Sequence, residues 1–151
     1  MGSRTPVVVG IGLSDSPKAP HLSEREHHGL ALQRALADSG LKKSDLDGFM
    51  TSTMQAEREW SISEYLGIDH KVFGGVGIGG AVFEFLVQQA SAQIRDGQAE
   101  TVAITYGSDM YTRSGRSLGT SGGWKQAEVI TDSSQFEALW GSTIVSNYAM
   151  A

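Results

Sequence analysis

The 151-residue chain contains no cysteine, which excludes disulfides, thiolate metal sites and a cysteine nucleophile. Positive charge is also scarce: 12 Lys and Arg stand against 17 Asp and Glu, a net charge of -5. A protein that grips phosphate backbones through charge shows a basic face, so no nucleic-acid partner is expected. No run approaches the roughly 20 apolar residues of a membrane span. Met1 to Pro6 lacks the apolar core of a signal peptide, and a cytoplasmic location is the expectation. No internal repeat is visible.

What the chain does have is 40% hydrophobic residues, enough for the core of one ordinary domain. Pro6 to Leu13, centred on Val7, Val8 and Val9 and followed by a Ser/Asp/Pro cluster, reads as a buried β-strand. Ser23 and Glu26 have capping-box spacing, and Leu30, Leu32, Ala35 and Leu36 extend an amphipathic helix from Ser23 to Ser39, stopped by Gly40. His21, Glu24, Glu26, His27 and His28 invite a metal reading. Against it, neighbouring His27 and His28 point in different directions on a helix, and first-turn acids already complement the helix dipole. A solvated helix start with no metal is expected there.

Leu41 to Asp47 reads as one helical turn, and Gly48 to Ser52 as a second strand. Thr51, Ser52 and Thr53 put hydroxyls at a strand end, a usual place for site residues in an α/β protein. The same hydroxyls serve equally to satisfy local backbone groups. Ser61 and Glu64 repeat the capping-box spacing for a short helix through Leu66, closed by Gly67. Trp60 and Tyr65 on it read as packing or interface anchors.

The chain is organised around residues 71 to 110. A glycine cluster, Gly74-Gly75-Val76-Gly77-Ile78-Gly79-Gly80, precedes a helix from Ala81 to Ile94 that is apolar or small on nearly every side for its first three turns, which predicts burial between layers. A glycine-rich start of that kind exposes backbone N–H groups at a positive dipole end. Thr101 to Tyr106 is the clearest strand. Tyr111 to Trp124 reads as a long glycine-rich loop, functional or held by a partner, and Gln135 to Trp140 as the start of another helix. The last eleven residues, Gly141 to Ala151, read as a helix still in progress, so a fragment of a longer protein is expected. Strands alternating with helices predict a layered α/β fold with a mostly parallel sheet.

Three readings of the glycine cluster stand side by side. Gly75, Gly77 and Gly80 satisfy G-x-G-x-x-G between a strand-like segment and a helix, as in a nucleotide-binding oxidoreductase domain. That fingerprint normally opens its domain and wants an acidic residue about 20 positions on, neither of which holds here. A structural reading has the glycines letting the helix start tightly against a neighbour, with nothing bound.

The third reading is a resemblance. Val7 to Gly12, Ser39-Gly40-Leu41, the run Lys43 to Asp47, the glycine cluster before its helix, Val102 to Tyr106, Gly107 and Met110 resemble in order and spacing the N-terminal half of the thiolase superfamily. Gly141 and Tyr148 to Ala151 are similar to the segment running into its second half. The nearest types are the lipid-transfer, sterol-carrier thiolases and the thiolase-like steroid side-chain retro-aldolases. The resemblance implies an α/β thiolase-like layered fold with a buried central helix, residues 1–151 forming a truncated N-terminal domain.

In that family the buried helix begins with a cysteine that takes up an acyl group from coenzyme A. The resemblance places this position at Val76, with Gly79 as the following glycine, and valine is no nucleophile. No catalytic residue is therefore expected in this chain; Gly75, Val76, Gly77 and Gly79 are candidate substrate-binding residues. The resemblance implies a protein acting on or binding acyl-CoA or lipid-like CoA esters without Claisen chemistry, cleaving C–C bonds in its full complex. The alternative is a non-catalytic structural subunit of an acyltransferase complex. Coenzyme A enters only as part of the substrate, with no tightly bound cofactor. The implied partner is a second copy, a thiolase-like subunit or a small OB-fold subunit.

Overall fold

All five residues of strand β1, Gly48–Ser52, are buried. A strand covered on both faces belongs inside a parallel sheet. In the computed structural model, which describes residues 4–15, 18–52 and 59–109, β1 lies between β2 (Val72–Val76) and β3 (Val102–Thr105), parallel to both. The described residues up to Ser108 form one compact unit. Thr53, the loop from Tyr111, the helix from Gln135 and the closing segment lie outside the described residues.

Side chains alternate across a strand, and here the alternation separates two cores. Phe49 and Ala103 face one side, packing with Leu32 and Leu36 of helix α1 (Glu24–Ser39) and with Ile62 and Leu66 of helix α2 (Glu59–Leu66). Met50, Val72, Val76, Val102 and Ile104 face the other, against Val82, Leu86 and Ala90 of helix α3 (Val82–Arg95). The result is a helix–sheet–helix sandwich, the layered α/β class predicted.

Helix α1 has the limits its sequence specifies. Ser23 N–H donates to Glu26 at 2.7 Å, Glu26 N–H returns a bond to the Ser23 hydroxyl, and Gly40 takes the left-handed conformation, φ +72°, that closes the helix. Helix α2 starts three residues earlier than the Ser61 cap predicts. Ser61 sits within it and accepts from Arg25 of α1 at 3.1 Å, so its hydroxyl joins two helices. Trp60 and Tyr65 are about half exposed. No described helix is long and apolar enough to cross a membrane.

At the amino ends of the strands Asp47 acts as a pin. Its carboxylate accepts from Glu100 N at 2.9 Å and Thr101 N at 2.8 Å and pairs with Lys71 at 3.4 Å, while its carbonyl accepts from Lys71 N and Val72 N. One residue thus ties β1 to both neighbours.

Two expectations change. Residues 6–13 form no strand: Val7, Val8, Val9, Ile11 and Leu13 are 57–83% exposed. The segment runs extended along α1 instead, because Gly10 and Gly12 press onto the helix where any Cβ would collide with the carbonyl oxygens of Ala35 and Ala31. Its backbone bonds go to helix side chains, Ile11 N to Asp38 at 2.9 Å and Arg34 to Leu13 O at 2.6 Å. Glycines that looked like strand terminators are contact points. Helix α3, in turn, buries a stripe rather than its whole circumference: Phe85 and Val87 stay 36% and 48% exposed, since the sheet covers one side and no described element covers the other.

Candidate site at the carboxyl edge of the sheet

Parallel strands end together, so the carboxyl ends of β1, β2 and β3 meet along one edge, where open α/β sheets place their ligands. The register puts Ser52 beside Val76 and Thr51 beside Thr105. Parity then sorts them: Ser52 and Val76 share the α3 side with Met50, whereas Thr51 and Thr105 share the α1 side with Phe49 and Ala103.

On the α3 side the chain leaves Val76 through Gly77 and Ile78 into a 3-10 turn, Gly79–Ala81, and then α3. Gly79 has φ +78°, a conformation that favours glycine. Ala81, the N-cap, makes no side-chain capping bond, so the first-turn N–H groups gain no partner from it. Glu84 lies exposed in the first turn and complements the helix dipole there.

Val76 is the last residue of β2, six positions before α3, half-buried against Met50, Val82 and Leu86. The candidate position is at a strand end and not at the start of the helix, because the ladder with β1 runs on through Gly74, Gly75 and Val76. That ladder also removes the dinucleotide fingerprint: Gly75 is paired with Thr51 inside the sheet, where the first glycine should make the turn. Tight packing does not account for the later glycines either. Among the described residues nothing lies within 4 Å of a Cβ built on Gly79 or Gly80, and Gly74 would make only an ordinary contact with Met50.

The α1 side holds a polar group that sequence reasoning missed. Glu24, His27 and His28 are buried, not solvated. His28, fully buried, places Nδ1 2.7 Å from the Thr105 hydroxyl, and the Thr51 hydroxyl donates to the Thr105 carbonyl at 2.7 Å. His27 turns away to Ser14 at 2.8 Å, and His21 pairs with Asp15 at 3.5 Å. The candidate metal residues are therefore drawn to three different places. The available signal was the spacing of Glu24, His28 and Leu32, four apart and all buried, which continues the apolar stripe back through two polar residues.

An open, mainly apolar groove of about 850 Å³ runs along the outer edge of β3, lined on its other sides by residues 9–14 and α1. It reaches Thr105 and Tyr106 at the carboxyl edge, but does not include the glycine turn. Tyr106 also meets Phe83 of α3 edge-to-face, ring centroids 5.3 Å apart.

No family model matches the chain. Among curated proteins it is 36% identical over 96 residues to a steroid side-chain-cleaving aldolase of Thermomonospora curvata. It is 34% identical over 96 residues to the 17-hydroxy-3-oxo-4-pregnene-20-carboxyl-CoA lyase of Mycobacterium tuberculosis. Each match covers 63% of this chain and 25% of the relative, so the chain spans about a quarter of their length. Among solved structures, the Ltp2-ChsH2(DUF35) aldolase matches with a TM-score of 0.64 and 28% identity over 87% of this chain and 31% of that one. A monomeric SCP2-thiolase-like protein of Mycobacterium smegmatis matches with a TM-score of 0.56 and 22% identity, covering 78% and 27%.

The fold is thiolase-like. Within this thiolase-like fold the parallel sheet between α1 and α2 on one face and α3 on the other is the expected layered arrangement, and sequence likeness adds a relation to steroid side-chain aldolases.

Proposed function

We propose that the chain forms the amino-terminal part of a thiolase-like lyase that cleaves a C–C bond in a β-hydroxy acyl-CoA ester. In such a retro-aldol step a base takes the hydroxyl proton and the Cα–Cβ bond breaks to release a carbonyl compound. The electrons left on the thioester side collect a proton at Cα. No free coenzyme A is consumed and no acyl-enzyme forms, so no nucleophile is required.

Val76 is the observation that carries this reading. At the carboxyl edge, beside Ser52 and ahead of the open turn at Gly79 and Gly80, this position offers shape and backbone but no nucleophilic side chain of its own. The likeness to proteins named aldolase and CoA lyase supports the same chemistry. Gly75, Val76, Gly77 and Gly79 would border the thioester, with the acid and base supplied from elsewhere in the protein. The described half of the site would orient the ester and exclude water. Coenzyme A would enter as part of the substrate, with no resident cofactor; the neighbour named as an Ltp2-ChsH2(DUF35) aldolase supports a heteromer, in which the partner would be a small OB-fold subunit.

The test uses the full-length protein assembled with its partner subunit. Incubation with a β-hydroxy acyl-CoA ester is expected to yield a ketone or aldehyde and a shortened CoA ester in equal amounts, with free coenzyme A unchanged. Release of coenzyme A without a carbonyl product, or stabilisation by NAD but by no CoA ester in a thermal-shift series, overturns the reading.

A further inference from the structure

A histidine buried on a helix costs free energy unless its ring nitrogens are bonded, and an apolar residue would pack α1 equally well. His28 is 0% exposed, and the bond the structure gives its Nδ1 goes to the carboxyl end of a strand, at the Thr105 hydroxyl. Two residues on, the chain passes directly over the ring. A Cβ on Gly107 would lie 2.5 Å from His28 Cδ2, 3.0 Å from Nε2 and 2.5 Å from the Glu24 carbonyl oxygen, so only glycine fits without a shift. Between these two points Tyr106 reaches the opposite layer and meets Phe83 of α3. The Thr105 carbonyl is held from β1 by the Thr51 hydroxyl at 2.7 Å. Residues 105–107 are thus gripped from α1, from α3 and from the central strand, where the chain leaves the sheet edge.

We infer that His28 is a positioning residue of the site: bonded to Thr105 and overlain by Gly107, it fixes residues 105–107 and so presents Tyr106 in one orientation at the carboxyl edge. The inference rests on the carboxyl edge being the site, as proposed above, and not on which bond is broken there. A leucine at position 28 would keep the packing and lose the bond. An asparagine would place a side-chain amide near the position of Nδ1 and keep it.

The experiment compares His28→Leu, His28→Asn and Thr105→Val in the full-length protein with its partner subunit. Two quantities are read: kcat and KM for a β-hydroxy acyl-CoA ester, and hydrogen–deuterium exchange of the amides of residues 106–108. His28→Leu and Thr105→Val are expected to lower kcat/KM by about tenfold or more, as small misplacements do, while His28→Asn stays within about threefold of the parent. The double variant His28→Leu/Thr105→Val should lose no more than His28→Leu alone, because the bond that Thr105→Val removes is already gone. Exchange at 106–108 should quicken in both single variants and return in His28→Asn.

Variants that melt earlier yet keep the parent's kcat, KM and exchange would mean that His28 only packs, and would overturn the inference. If the parent complex shows no lyase turnover, the proposed function falls. Exchange then decides the role of His28 alone: quickened by leucine and restored by asparagine upholds it, unchanged overturns it. Should His28→Leu fail to fold, Thr105→Val carries the same comparison, since valine keeps the shape of threonine.

Discussion

Asp47 is the residue whose removal should cost the fold most for its size. Desolvation pushes its carboxyl up, but hydrogen bonds from Thr101 N and Glu100 N and the Lys71 ammonium together hold it below the ordinary aspartate value. A carboxyl depressed in the folded state adds stability above its unfolded pKa and loses it as pH falls through the folded one. Asp47→Ala should therefore lower unfolding stability by about 1–3 kcal/mol at neutral pH, since two backbone donors lose an ionised acceptor. In urea titrations the gap between the parent and Asp47→Asn should narrow as pH falls below about 4. A gap that held constant to pH 2 would mean the charge of Asp47 contributes nothing. Val76 offers a second check at this scale. Because it ends β2, half-buried and well before α3, Val76→Cys should alkylate no faster than a free cysteine. A rate above that of the free thiol would put position 76 back at the helix start. Single residues were legible where local chemistry dictates them, as at Ser23, Glu26 and Gly40. His28 was not, because its role depends on a strand 77 residues away.

At the scale of elements, the turn into α3 separates conformation from space. Gly79 has φ +78° and Gly80 does not share that restriction, while neither has a described neighbour within 4 Å of its missing Cβ. Gly79→Ala should cost about 1–2 kcal/mol from backbone strain alone, and Gly80→Ala should leave the thermal midpoint nearly unchanged. Equal loss in both would show that packing, not conformation, demands the glycines. The N-terminal segment gives the complementary case. Gly12→Ala should drive residues 9–14 off α1, exposing them to limited proteolysis while the sheet stays intact; unchanged cleavage would contradict the close approach. Elements with their own punctuation were readable in the sequence: α1 through its cap and Gly40, β1 through its β-rich run before a polar loop, and β3 through the unbroken Val102 to Thr105. The segment 6–13 was not, because a β-branched run with two glycines suits an extended chain whether it pairs with a strand or lies along a helix. The circumference of α3 misled for a related reason. Hydrophobicity on every side predicts cover on every side, and only the sheet side is covered among the described residues.

For the molecule as a whole, alternation of strands and helices gave the layered parallel architecture, and order and spacing of short motifs gave the thiolase-like relation that the solved neighbours share. Chemistry was legible mainly as an absence: no cysteine anywhere in the chain, and valine at the position the resemblance assigns to a nucleophile. The polar grouping on the α1 side was hidden, since three segments distant in sequence assemble it. The central claim is that this carboxyl edge supports C–C cleavage without a covalent acyl intermediate. The most direct measurement is peptide mass spectrometry on the full-length complex quenched during turnover of a β-hydroxy acyl-CoA ester. The expected result is a carbonyl product accumulating with no acyl mass on the peptide spanning residues 71–95; an acyl adduct on that peptide, rising and falling with turnover, would contradict it.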